Sequence, residues 1–217
     1  MANSPLNISS LQEQLQSLAR REGISRWDLG ASRGNSTSVQ VDRGQAKQLN
    51  AAQRSSITIR VWNQQGLVGI TSTSDLSDSG LEKALMGAHQ ASSFGNPDDV
   101  PGFSPLASAP QPDLHRPLQD AQGIQTLLNQ LLDAEKQLLG RHPAIGTIPY
   151  NSLNEGSSER IYLNSEGALR QAQRTQASII LMARAEEDGR KPRSGGAVRV
   201  ALGSRDLDLA GCIDEAA

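Results

Sequence analysis

Three histidines, one cysteine and one cluster of mixed charges are the side chains of this 217-residue sequence best suited to chemistry. Their spacing limits what they can do. His89, His115 and His142 each stand alone, with no Glu beside them and no second His three or four residues away. A helical zinc site needs two donors one turn apart, so the His–Glu zinc motifs are absent, as are CxxC pairs. His89 falls in an expected helix and reads as a surface or cap residue. Cys212 also falls in an expected helix and reads as a small buried apolar side chain rather than a reactive thiol. A single cysteine excludes an intramolecular disulfide, which suits a reducing compartment. No GxSxG elbow, Walker A loop or helix-opening GxGxxG occurs. Ser194-Gly195-Gly196 is glycine-rich but lies between expected strands, with no helix to present a phosphate site. Arg184, Arg190, Lys191 and Arg193 surround Glu186, Glu187 and Asp188, the pattern of a solvated hairpin tip. No catalytic, cofactor-binding or metal-ligating residue is assigned.

The composition narrows the partners. Net charge is −2, and Lys and Arg are scattered rather than striped, which argues against direct nucleic-acid binding. No apolar run approaches the roughly 20 residues of a membrane span. The N-terminus has neither a basic region nor an apolar one, so no secretory signal is expected. Only 3% of residues are aromatic. Such a lean core predicts exposed apolar surface and self-association.

Elements must hold whatever site exists. Leu11, Leu15 and Leu18 predict an amphipathic helix over 8–22, capped by Ser9 or Ser10 and ended by Gly23. Strands are expected at 27–32, at 36–42 with Val39 and Val41 on one face, and at 46–53 as a polar edge. Another follows at 56–62, with Ile57, Ile59 and Val61 facing one way and Thr58, Arg60 and Trp62 the other. Asn63–Gly66 reads as a hairpin loop leading to a strand at 67–73. Ser77 caps a second helix from Asp78, with Leu76 placed to staple onto Leu81. Six of the ten prolines fall in residues 95–117, which no helix or central strand tolerates. This stretch reads as a linker draped over the surface. A leucine-striped helix follows over 120–139, interrupted by Glu135 and closed by Gly140. Strands are then expected at 144–150, 160–163, 178–183 and 197–201. A polar loop is expected at 152–158, a turn at Asn164–Gly167, and a final helix after Ser204. The whole is α+β, with mostly antiparallel sheets and packed helices in two sub-domains: 1–94, a Pro-rich linker at 95–117, and 118–217.

Residues 36–93 resemble the N-terminal domain of the TldD/PmbA family, also described as modulators of DNA gyrase. The resemblance rests on Val39-Gln40-Val41-Asp42-Arg43-Gly44, Ile59-Arg60-Val61, Gly66, and the run Gly69-Ile70-Thr71-Ser72-Thr73-Ser74-Asp75-Leu76-Ser77 that opens a helix. Asn164-Ser165-Glu166-Gly167 and Glu186-Glu187-Asp188-Gly189 are similar to the family's middle region, and the second half is more similar to the PmbA (TldE) branch. The resemblance implies a cytoplasmic two-subunit peptidase system acting on unfolded or leader-bearing peptides. In it a TldD-type subunit carries a His-Glu-x-x-x-His zinc site and the PmbA-type subunit does not. Zinc is therefore expected only in a TldD-type partner, with no cofactor in this chain. The implied partners are that subunit or a second copy, and an extended peptide; no nucleic acid and no membrane. The family's C-terminal domain holds or faces the active site. The sequence stops at Ala217, so it is expected to represent the N-terminal and middle portions only, inactive alone. The competing expectation is a non-enzymatic interaction module, docking a partner through 95–117 or the helix at 120–139, or a truncated remnant.

Overall fold

The structure is a computed structural model and describes residues 8–98, 100–110 and 118–217. Along the chain run α1 (Ile8–Arg21), β1 (Arg26–Asp42), β2 (Gln45–Trp62), β3 (Val68–Thr73), α2 (Asp78–Ala91), α3 (Ile124–Leu139), β4 (Ile145–Asn164), β5 (Leu169–Ala185), β6 (Arg193–Ala201) and α4 (Leu209–Ala216). The strands form a six-stranded antiparallel sheet in the order β3-β2-β1-β4-β5-β6. The fold class is thus α+β, as expected. Within it the chain divides into two compact units. Unit 1 takes described residues from Met1–Gly34, Arg54–His115 and Ser158–Gln173; unit 2 takes Asn35–Gln53, Arg116–Ser157 and Arg174–Ala217. Each unit therefore gathers segments from before and after the Pro-rich stretch. Residues 111–117 of that stretch lie outside the described residues.

In unit 1, α1 and α2 cover one sheet face. Leu11, Leu15 and Ala19 of α1 and Leu81, Ala84, Leu85 and Ala88 of α2 join Trp27, Leu29, Ile57, Ile59, Val61, Ile161 and Leu163 in one core. Leu76 packs against the same cluster. The end of α1 follows from Gly23, whose φ of +66° lets Ile24 N–H reach Ala19 O at 2.8 Å while Gly23 N–H reaches Arg20 O at 3.3 Å. Ser9 and Ser10 are not caps; both lie inside α1. α2 begins as its sequence predicts, with Ser77 Oγ accepting from Gly80 N–H at 3.2 Å and Asp75 Oδ1 accepting from Ser77 N–H at 2.9 Å. Hydrogen bonding from Ser77, its side chain foremost and its N–H next, holds the Asp75 carboxyl below its ordinary pKa. β2 and β3 pair from Ile57↔Thr73 to Trp62↔Val68. Asn63 closes their loop, its Oδ1 accepting from Gln65 and Leu67 N–H, with Gly66 at φ +82°.

In unit 2, Leu127, Leu131, Ala134 and Leu138 of α3 and Cys212, Ile213 and Ala216 of α4 meet Val39, Val41, Leu153, Ala177, Ile179 and Leu181. β5 and β6 pair from Ala177↔Ala201 to Ala185↔Arg193. α3 starts at Ile124 rather than near Asp120, because Gly123 takes φ +85° and supplies no side-chain cap. Glu155 of β4 acts instead: its Oε1 accepts from Gly123 N–H at 3.0 Å and its Oε2 from Gln122 N–H at 3.2 Å. A carboxylate there also meets the positive end of the helix dipole. Residues 152–158, expected as loop, are strand. Leu153 and Glu155 point inward, and Asn151 bonds both the N–H and the C=O of Val41, at 2.9 and 3.0 Å.

The polar interruption in the α3 stripe has a structural cause. β1 and β2, expected as two strands each, are single long strands joined at Arg43-Gly44, where φ is +52° and +76°. Two consecutive positive φ values make a type I′ turn, which disfavours Arg. Glu135 offsets this cost: its Oε1 accepts from Arg43 N–H at 3.1 Å and its Oε2 from Gly44 N–H at 2.7 Å. Glu135→Leu would complete the leucine stripe, yet it is expected to destabilise the protein by about 1–3 kcal/mol through the orphaned N–H groups. A urea midpoint at or above the parent's would contradict that account.

Candidate functional site

Strand alternation sends every second residue of the unit 1 sheet away from α1 and α2. That outer face carries Arg26 and Asp28 from β1, Thr58, Arg60 and Trp62 from β2, and Arg160 and Tyr162 from β4. Asp28 is buried at 2% exposure, which is rare for a charge without partners. Its partners are on this face: Arg60 Nε donates to Oδ1 at 2.9 Å, Arg60 Nη2 donates to Oδ2, and the Tyr162 hydroxyl donates to Oδ2 at 3.1 Å. The forked geometry gives a strong, directional ion pair. Its hydrogen bonds to Asp28 raise the Arg60 pKa, so the guanidinium stays charged. Burial, then the Asp28 charge, pushes the Tyr162 phenol above its ordinary value.

Trp62 lies on the same face but is only 3% exposed, because chain from the Pro-rich stretch covers it. Its Nε1 donates to Pro101 O at 2.9 Å, and Phe103 meets it edge-on with ring centroids 5.0 Å apart. The Arg26 guanidinium sits 5.0 Å from the Trp62 ring and 4.8 Å from Phe103, while Arg60 sits 5.3 Å from Trp62. Two cations thus face an aromatic pair. Further along, Arg170 of β5 holds the same covering segment, its Nη2 donating to Leu106 O at 3.2 Å and to Ala109 O.

Beside this strap opens a groove of about 470 Å³, lined by Gly30, Ser32, Thr58, Arg160, Tyr162 and Arg170 among others. Its volume is in the range of ligand sites. The lining exposes more apolar than polar surface and carries two guanidinium groups; it holds no nucleophile–base pair. The face can bind and orient a chain, through donors aimed outward, more readily than it can cut one.

A second cavity, of about 180 Å³ in unit 2, is lined by Gln119, Asp120, Glu155 and Thr175 among others. Besides the two backbone N–H groups at α3, Glu155 also accepts from Ser204 Oγ at 2.7 Å. Three donors fix this carboxylate as a cap for α3.

Among the described residues singled out by type, only His142 and the charged tip are brought together, His142 lining a cavity of about 530 Å³ with Glu187, Arg190, Lys191 and Arg193. His89 is in the last turn of α2, and His142 is exposed with Nδ1 accepting from Ala144 N–H at 3.1 Å. His115 lies outside the described residues. Cys212 is buried in α4; burial raises its pKa, against the pull of Arg199, and keeps it a thiol. The charged tip pairs with itself, Arg184 with Glu186 at 2.7 Å and Arg190 with Glu187 at 2.9 Å. Among the described residues no three His, Cys, Asp or Glu side chains gather where they could hold a metal ion. Nor is any described helix long and apolar enough to cross a membrane. The Asp28–Arg60–Tyr162 network escaped sequence reading, although Asp28 between Trp27 and Leu29 is an unusual charge within an apolar run.

Comparison with known proteins places this geometry. A family model described as PmbA/TldA metallopeptidase domain 1 matches residues 27–91, and one described as PmbA/TldA metallopeptidase central domain matches residues 117–217. No curated protein matches the sequence. Among solved structures, a protein from Thermotoga maritima described as a candidate modulator of a DNA gyrase aligns with TM-score 0.81 at 16% identity, over 97% of this chain and 47% of that one. TldE from Thermococcus kodakarensis aligns with TM-score 0.76 at 15% identity, over 94% of this chain and 46% of that one. A candidate gyrase modulator from Bacteroides thetaiotaomicron gives TM-score 0.81 at 17% identity, over 98% and 49%. The chain thus spans about half the length of these proteins, and at such identities they establish the shared fold.

Proposed function

Because this chain belongs to the PmbA/TldD metallopeptidase family, we propose that it is a PmbA/TldE-like, non-catalytic part of a TldD/PmbA peptidase system that handles unfolded or leader-bearing peptides in the cytoplasm. The observation that carries the reading is the match of two successive family domains, 27–91 and 117–217, on a fold shared with TldE. The outer face of unit 1 supports it. Trp62 and Arg170 already hold main-chain carbonyls of the chain's own strap, as they would those of a peptide. In this reading the hydrolytic zinc belongs to a TldD-type partner. The residues of this chain bind and orient: Asp28 fixes Arg60 and Tyr162, and the guanidinium groups of the groove draw the peptide. Direct contact with nucleic acid or membrane is not part of it. The test is co-purification with a zinc-bearing TldD-type subunit from the same source, followed by cleavage of an unstructured peptide. A stable complex that cleaves more than the partner alone supports the proposal. Failure to form any complex at micromolar concentration would overturn it and favour an interaction module of another kind.

A further inference from the structure

We propose that the groove beside the strap in unit 1 is a binding site for an acidic segment of an extended peptide, with Arg160 as the group that reads the acid. Three observations converge. First, the groove has room where a chain must lie: a Cβ added at Gly30 would meet nothing within 4 Å, and the neighbouring Ser32 and Thr58 are small and hydroxylated. Second, its two cations differ. Arg170 is occupied with the carbonyls of Leu106 and Ala109, whereas Arg160 is exposed and has no hydrogen-bond or ion-pair partner among the described residues. A guanidinium presents a planar fork that matches a carboxylate in a bidentate way, so charge complementarity selects Asp or Glu. Third, the same sheet face already fastens another piece of chain, a strap that includes the 3-10 turn Pro105–Ala107. Pro101 O is held by Trp62 and Ala109 O by Arg170, which shows that its donors are placed for main-chain carbonyls. A peptide running beside the strap would meet hydroxyls along the floor and Arg160 at one wall.

This deepens the peptidase-system reading and rests on it for the choice of a peptide as the occupant. The measurement needs no second subunit. Fluorescence anisotropy with the 217-residue chain would compare a labelled Gly/Ser/Ala decapeptide carrying a central Asp-Glu pair with the same peptide carrying Asn-Gln. The acidic peptide is expected to bind about tenfold tighter, as for one charge-assisted contact. Arg160→Gln is expected to abolish that preference and leave the Asn-Gln peptide unchanged. Gly30→Val is expected to weaken both peptides at least about tenfold by filling the floor, while its urea midpoint stays at or above the parent's, since valine suits a strand. Equal binding of the two peptides, or a Gly30→Val protein that binds as the parent does, would overturn the proposal. Failure of co-purification with a TldD-type subunit would leave these binding results standing, so the two readings fail separately.

Discussion

Gly69→Ala is expected to destabilise the protein by about 3 kcal/mol, the upper end of overpacking costs, or to leave unit 1 unfolded. The reason is a close approach. A Cβ at Gly69 would lie 2.0 Å from Ala88 O, 2.2 Å from Ser92 N and 2.7 Å from the Ala91 carbonyl carbon. All three are backbone atoms at the end of α2 and the turn that follows, so no side chain can rotate away. To admit the methyl group, α2 must lift off β3, and Leu81, Ala84, Leu85 and Ala88 would lose their contacts with the sheet. Gly30→Ala is the control. It is also a glycine in a strand, but its Cβ meets open space, and removing glycine's freedom in the unfolded chain should raise stability by roughly 0.4–1 kcal/mol. Urea denaturation followed by circular dichroism reads both. Equal midpoints would show that the helix accommodates the methyl group and that Gly69 is not required by packing.

That glycine opens the run Gly69–Ser77, and the run illustrates what a sequence shows and hides. The signals there and just before it are local: a cap at Ser77 and a loop at Asn63–Gly66. The same holds for the α3 stripe, the alternation of Ile57, Ile59 and Val61, and the stop at Gly23. Each depends on residues a few positions apart, and each appears in the structure where the spacing puts it. Long-range polar contacts leave no such period. Glu155 caps α3 from 32 residues away and Glu135 steadies the Arg43-Gly44 turn from 92 away. Asn151 reaches Val41 across 110 residues. Read locally, those residues look like solvated loop or an interrupted stripe, which is why 152–158 was expected as loop. The two compact units were equally hidden. Strands of 17 to 20 residues contribute to both, so neither unit corresponds to an uninterrupted stretch of sequence. The site shares this fate: Asp28 meets Arg60 at a separation of 32 and Tyr162 at 134.

The network formed by those three residues yields the second large effect. Arg60→Met is expected to cost about 3–5 kcal/mol, because it leaves the Asp28 carboxylate buried with only the Tyr162 hydroxyl to satisfy it. Asp28→Ala should cost less. The Arg60 side chain is 28% exposed against 3% for Asp28, so the orphaned guanidinium can turn to water while the orphaned carboxylate cannot. Arg60 also lies over Trp62, and methionine keeps an apolar contact with that ring, which confines the loss mainly to the charge. The double variant should recover part of the Arg60→Met cost, since no charge is then left buried. Additive costs in that cycle would mean that the two side chains do not act as a pair. Tyr162→Phe removes one hydrogen bond, about 1 kcal/mol, and has its own signature in pH. The folded-state pKa of Tyr162 is raised, so its contribution to stability is complete below the ordinary phenol value near 10 and is lost as pH rises through the folded value. Denaturation at alkaline pH should therefore show a shallower decline for Tyr162→Phe than for the parent. If both decline alike, Tyr162 titrates as it would in the unfolded chain, and the hydroxyl contact with Asp28 does not persist in solution.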